Sequence, residues 1–146
     1  MKIAIASDHA GFELKAAIMA AFPELEFQDF GTHSAAPCDY PDTGAPAASA
    51  VASGLAEKGI LICGSGIGMS VTANKVKGIR AALCCNTDVA RLSRRHNDAN
   101  VLCLAARFTA VPYAIEIVKA WLETEFEGGR HQRRIQKIKD IEGESQ

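Results

Sequence analysis

Residues 60–70 read ILICGSGIGMS. Three aliphatic residues run into Cys63, and glycine then takes every second position from Gly64 to Gly68. An apolar run that ends in glycines and resumes as an apolar-periodic segment over 68–75 is the pattern of a buried strand, a tight turn and a helix. A strand that is apolar throughout, rather than alternating, fits a parallel sheet covered by helices on both faces. The open question is Cys63, at the point where strand gives way to turn. Its thiol has four readings: core filler, redox group, neighbour of a bound phosphate, or acid–base group.

The flanking sequence repeats the same rhythm. Short apolar or β-branched runs at 2–7, 26–30, 59–63, 79–84 and 100–105 alternate with helical periodicity at 12–22, 43–56, 68–75, 88–95 and 112–125, and a last helix is expected over 130–141. Such alternation predicts βαβ units, and so an α/β fold: one doubly wound, Rossmann-type domain over 1–146, with a five-stranded parallel sheet and a C-terminal helical tail over 128–146. Pro112 is expected at the first position of its helix, with Thr109 as cap. The length of 146 residues matches one domain and is enough to bury a core without disulfides or structural metal.

Composition narrows the partners. A formal net charge of −1 gives no overall attraction for nucleic acid or an anionic membrane. No uncharged apolar stretch reaches the ~18 residues that span a bilayer, and no secretory signal is read ahead of the first strand. The five cysteines (Cys38, Cys63, Cys84, Cys85, Cys103) are odd in number and form no C-x-x-C pair. That usage predicts a reducing cytoplasm, with Cys84 and Cys103 as packing residues.

In a sheet of this class, ligands gather beyond the carboxyl ends of the strands. The segments expected there are Asp8-His9-Ala10-Gly11, Gly31-Thr32 followed by Asp39-Tyr40-Pro41, the loop from Cys63 to Gly68, and Asn86 with Asp88. The loop offers backbone amides to an anion at the start of a helix. It is not a dinucleotide fingerprint, because Met69 stands where the last glycine of G-x-G-x-x-G belongs, and no Gly-Lys pair provides a P-loop. A thiol beside amides that stabilise an oxyanion, with the Ser65 hydroxyl two residues on, is what proton abstraction next to a carbonyl requires. His96, in RRHNDAN between the fourth helix and the fifth strand, reads either as a helix-end histidine or as a proton shuttle, with Asn97 and Asn100 as partners for hydroxyls.

The tail GGRHQRRIQKIKD is the one strong charge cluster. Arg130 and Arg134 are four apart, on one helix face, and guanidinium pairs suit a phosphate. With Arg107 and His9, this small cluster on a near-neutral chain fits a phosphorylated metabolite better than a polymer. His9, His33, His96 and His131 show no metal-ligand spacing, so no metal site is expected.

Taken together, SDHAG (7–11), DYP (39–41), ICGSGIGMS (62–70), NKVKGIRAAL (74–83), RRHNDANVL (94–102) and EGGRHQRRI (127–135) resemble type B ribose-5-phosphate isomerases, in the wider group that holds allose- and galactose-6-phosphate isomerases. The resemblance runs in order along essentially the whole chain. It implies a Rossmann-type fold and an aldose–ketose isomerase of pentose phosphate metabolism. That enzyme interconverts ribose 5-phosphate and ribulose 5-phosphate through an enediolate, without metal or cofactor. It further implies Cys63 as the base between C2 and C1, Ser65 as its assistant, and an anion hole from the amides of Gly64, Ser65, Gly66, Ile67 and Gly68. By the same resemblance, His96 with Asp8 opens the ring, Asp39, Tyr40 and Asn97 contact the sugar, and His9, Arg107, Arg130 and Arg134 hold the phosphate. The family pattern is a homodimer, sometimes paired into a tetramer, whose sites draw on both subunits. Some members carry a glutamate as base in the helix after the loop; MSVTANK has no acid, in keeping with Cys63.

Three rivals remain at this level. Another sugar phosphate, such as allose 6-phosphate or a tetrose phosphate, is the nearest. A non-catalytic phosphometabolite-binding module predicts binding without turnover. A thiol-redox protein lacks the resolving cysteine it would need.

Overall fold

Strands β1 (Lys2–Ser7), β2 (Glu26–Asp29), β3 (Lys58–Cys63), β4 (Ala81–Leu83) and β5 (Val101–Ala105) alternate with helices α1 (Phe12–Ala21), α2 (Tyr40–Ala52), α3 (Ile67–Asn74), α4 (Thr87–Asn97) and α5 (Val111–Glu123), and α6 (Arg130–Glu142) ends the series. This is a computed structural model that describes residues 1–143; the last three positions of the tail expected over 128–146 lie outside the described residues. The sheet is parallel throughout, in the order β2-β1-β3-β5-β4.

Side chains alternate across the sheet and build two unlike layers. On one face Ile3, Ile5, Ile60, Ile62, Leu102 and Leu104 meet Leu14 and Ile18 of α1 and Ile117, Val118 and Trp121 of α5. On the other, Ala4, Ala6, Leu61, Cys63, Val101 and Cys103 meet Ala47, Ala48 and Val51 of α2 and Met69 and Ala73 of α3. A buried Ile or Leu contributes about 1.5–3 kcal/mol, against roughly 0.8 kcal/mol for a methyl-sized group. The first layer therefore carries most of the hydrophobic stabilisation. The second, rich in alanine, lets α2 and α3 sit close to the strand ends.

Element boundaries differ from expectation where polar groups set them. Helix α2 starts at Tyr40, not at residue 43, behind an extended Asp39 and with a proline in its first turn. Helix α4 starts at Thr87 because Asn86 Oδ1 accepts the Val89 amide at 2.8 Å. It runs on through His96 and Asn97, until Asp98 adopts a left-handed conformation (φ 44°). His96 is thus in the last turn of α4, the helix-end position that was one of its two readings. Pro112 is the second residue of α5, and no side chain caps that helix, so Thr109 does not have the role expected of it. Strand β4 is shorter than the run at 79–84, because the Arg80 amide donates to Asn100 Oδ1 at 2.8 Å. Asn100 Nδ2 also donates to the Gly78 carbonyl. Asn100 is committed to bracing this turn and is withdrawn from hydroxyl recognition.

The order of strands also places the site. Strand β1 lies between β2 and β3, so the crossovers from its two sides diverge. The crevice where they part lies outside the carboxyl ends of β1 and β3. Those ends lead into Asp8 and Cys63.

Candidate active site

A cavity of about 510 Å³ opens at this crevice, lined by Asp8, Tyr40, Cys63, Gly64, Ser65, Ile67, Gly68, Val71, Arg107 and Phe108. Cys63 is the last residue of β3 and only 3% exposed. Its carbonyl accepts the Ala106 amide at 2.9 Å, which fixes the thiol's backbone at the rim of the sheet. Burial pushes the Cys84 thiol up to about 11 and raises Cys103 further, as expected of groups that only pack.

The turn after Cys63 is walled on every side. Gly66 is left-handed (φ 75°), and a Cβ there would lie 2.4 Å from Leu83 Cδ1 and 3.0 Å from the Leu104 carbonyl carbon. A Cβ on Gly68 would lie 2.5 Å from the Tyr40 ring. Only glycine allows the backbone so close to these neighbours. The Ser65 hydroxyl accepts the Ile67 amide at 3.2 Å. Gly66 gives α3 no side-chain cap, and first-turn amides without an intrahelical acceptor form an anion site.

Asp8 caps the short 3₁₀ turn His9–Gly11: its Oδ1 accepts the amides of Ala10 at 3.0 Å and Gly11 at 3.1 Å. His9 Nδ1 accepts the Cys38 amide at 3.2 Å, so in the neutral ring the hydrogen is carried by Nε2. The Arg107 amide donates to the Gly64 carbonyl at 3.0 Å, and the Arg107 guanidinium lies 3.1 Å from where a Gly64 Cβ would be. Asp39, which precedes α2, is exposed beside Tyr40. One chain therefore brings together Asp8, His9, Asp39, Tyr40, Cys63, Gly64, Ser65, Gly66, Ile67, Gly68 and Arg107 at the carboxyl edge of the sheet.

The remaining predicted residues lie at the other edge. His96 and Asn97 end α4, just before β5 begins at Val101, and the Asn97 carbonyl accepts Arg80 Nε at 2.9 Å. Cys63 is paired with Ala105, four residues further along β5 than Val101, which is about 13 Å of strand. Arg130 and Arg134 lie on α6. That helix is joined to this edge by the stacked rings of His96 and His131 and by the Gly78 amide donating to Glu142. Asn97 also lines a second cavity of about 480 Å³ with Ile79, Arg80, Ile138 and Ile141. A single chain does not assemble the whole predicted site.

Two features escaped the sequence reading. Phe108, 79% exposed on the rim of the first cavity, follows Arg107 after β5 and could have been found by the strand-end rule. His96, Glu127 and His131 come together with one ligand atom each inside 4.8 Å, a cluster drawn from two separate segments, with Glu127 in the irregular stretch ahead of α6. Burial, with His96 and Arg130 nearby, lowers the pKa of the His131 imidazole from its ordinary value.

Comparison with known proteins gives the family. The family model described as Ribose/Galactose Isomerase matches residues 3–138. Ribose-5-phosphate isomerase B of Escherichia coli is 48% identical over 143 residues, 97% of this chain and 96% of that protein. The solved ribose-5-phosphate isomerase B of Clostridium thermocellum is 50% identical, covers 100% of both chains and superposes with a TM-score of 0.97. The Mycoplasma genitalium enzyme, solved with bound ribulose 5-phosphate, is 45% identical, with 98% and 97% of the two chains covered and a TM-score of 0.94. With this sheet order, this cavity and these relatives, the chain belongs to the ribose/galactose isomerase family.

Proposed function

We propose that the protein interconverts D-ribose 5-phosphate and D-ribulose 5-phosphate, with Cys63 moving the proton between C2 and C1. The observation that carries this reading is the cavity in which Cys63 and the amide-rich turn meet Asp8 and Arg107. In the open-chain aldose, the Cys63 thiolate takes the proton from C2 and the electron pair moves to O1. The amides of Gly64 through Gly68 receive that charge, at a value of about 2.7–4 kcal/mol per donor. The C2 hydroxyl proton then passes to O1, with Ser65 as the assisting hydroxyl. The thiol returns its proton to C1, and C2 is left as the ketone. Phosphate binding, remote from these carbons, supplies orientation.

Ring opening needs His96, and Asn97, Arg130 and Arg134 are needed for the sugar and the phosphate. Their place at the far edge of the sheet supports a homodimer in which each site joins the carboxyl edge of one chain to the amino edge of its partner. Ile67 (57% exposed), Val71 and Phe108 surround the first cavity with apolar surface suited to a second copy. A two-fold arrangement makes two such sites at once. In each, the partner subunit's His96 and Asp8 share ring opening, His9 and Arg107 meet the phosphate from one side, and Arg130 and Arg134 of the partner subunit meet it from the other. Asp39 and Tyr40 border the sugar. The same reading places the enzyme in a reducing cytoplasm, where the thiol stays free.

The test is a turnover assay on ribose 5-phosphate, allose 6-phosphate and erythrose 4-phosphate. The pentose is expected to give the highest kcat/KM, and binding without turnover of any of the three would favour a non-catalytic module. In the same assay, Arg134→Ala is expected to raise KM at least tenfold with kcat nearly unchanged. An unchanged KM removes Arg134 from the clamp.

A further inference from the structure

We infer that His96, Glu127 and His131 form a binding site for one divalent transition-metal ion of the zinc class, and that occupancy switches the isomerase off. Two imidazoles and a carboxylate are a donor set that zinc takes with a fourth position left for water. The three ligand atoms lie within 4.8 Å of one another. Around a tetrahedral zinc they would be about 3.3 Å apart, a contraction of about 1.5 Å that side-chain torsions can supply.

The local backbone brings the three residues together. The Glu127 amide donates to the Arg95 carbonyl at 3.1 Å, beside His96. Gly128 (φ 70°) and Gly129 (φ 58°) then turn the chain sharply, so that α6 begins with His131 facing α4. The two rings stack with centroids 4.3 Å apart and 13° between planes, so one imidazole turns out of the stack for both in-plane lone pairs to meet a single ion. The independent sign of a ligand is His131 itself. It is 4% exposed, and its Nε2 is fully buried with no hydrogen-bond partner among the described residues, while Glu127 Oε2 lies 3.5 Å away without the geometry of a bond. Held only by this long ion-pair contact, the buried ring nitrogen lacks a full hydrogen bond, and a metal between it and the carboxylate supplies the missing partner. Arg130 and Arg134 on the same helix act against a dication. Glu127 supplies a negative charge that offsets part of theirs.

Inhibition rests on the proposed role of His96 in ring opening, because a histidine bound to metal cannot exchange a proton with the sugar. Binding does not rest on it, so the two are measured separately. Metal-free full-length protein is titrated with zinc chloride by calorimetry and with cobalt chloride by visible absorption, and turnover is followed in parallel. One ion per chain is expected, with a four-coordinate cobalt spectrum lacking thiolate charge-transfer bands. Affinity is expected to fall at least tenfold in Glu127→Gln and further in His131→Asn. Glu127→Gln should isomerise like wild type yet need at least tenfold more zinc for half-inhibition, and a chelator should restore the wild-type rate. Equal zinc affinity in wild type and Glu127→Gln, thiolate bands, or no binding by wild type overturns the site. Binding that Glu127→Gln weakens, but that leaves turnover untouched, overturns the switch and counts against His96 as the ring-opening group.

Discussion

Cys63→Ala is expected to lower kcat for ribose 5-phosphate isomerisation by about 10²–10⁴-fold, the usual contribution of a positioned base. Binding of the substrate should stay within a few-fold of wild type, because the groups that hold phosphate and hydroxyls are untouched. The structure makes the separation clean. Cys63 ends β3 and its side chain is nearly buried, so removing one sulfur leaves the walls of the cavity as they are. Cys63→Ser controls for size: the hydroxyl keeps the shape but is a far weaker base, and it should be almost as inactive. Ribulose formation followed by circular dichroism, with calorimetry for binding, decides it. A kcat within tenfold of wild type in either variant would remove Cys63 from the proton transfer.

The second large effect is complementation between two inactive variants. Cys63→Ala damages the carboxyl edge and His96→Gln the amino edge, and the two edges of one chain are separated by the length of the central strands. If each site joins one edge from each subunit, a mixed dimer has one site with both defects and one with neither. Random exchange of subunits makes half the dimers mixed, so activity should return to about a quarter of wild type. Native mass spectrometry would verify the exchange. A verified mixed population that stays as inactive as its parents would refute the shared site.

Much of this was legible in the chain. ILIC followed by alternating glycines fixed both the strand and the turn, because burial on two faces and close backbone approach each leave a compositional trace. The strand-end rule then reached Asp8, Tyr40 and Ser65 without any coordinates, and the charge cluster pointed to Arg107. The two-edge division entered only through the resemblance, which implied sites drawn from both subunits. The residue reading ended the fourth helix at 95, and the left-handed Asp98 closes α4 only after Asn97. The His96–Glu127–His131 cluster was hidden for a related reason: its members approach only because a backbone bond joins Glu127 to Arg95. Asn100 misled because an amide that braces a turn is written with the same letter as one that greets a sugar.

The glycines of the central turn are commonly taken as a source of looseness. Here Arg107 crowds Gly64, Leu83 and Leu104 crowd Gly66, and Tyr40 crowds Gly68. The pocket is therefore moulded before its guest arrives, and little order remains to be gained on docking. An enzyme of this build should keep its grip on substrate as the temperature climbs, right up to the point at which the whole sheet melts.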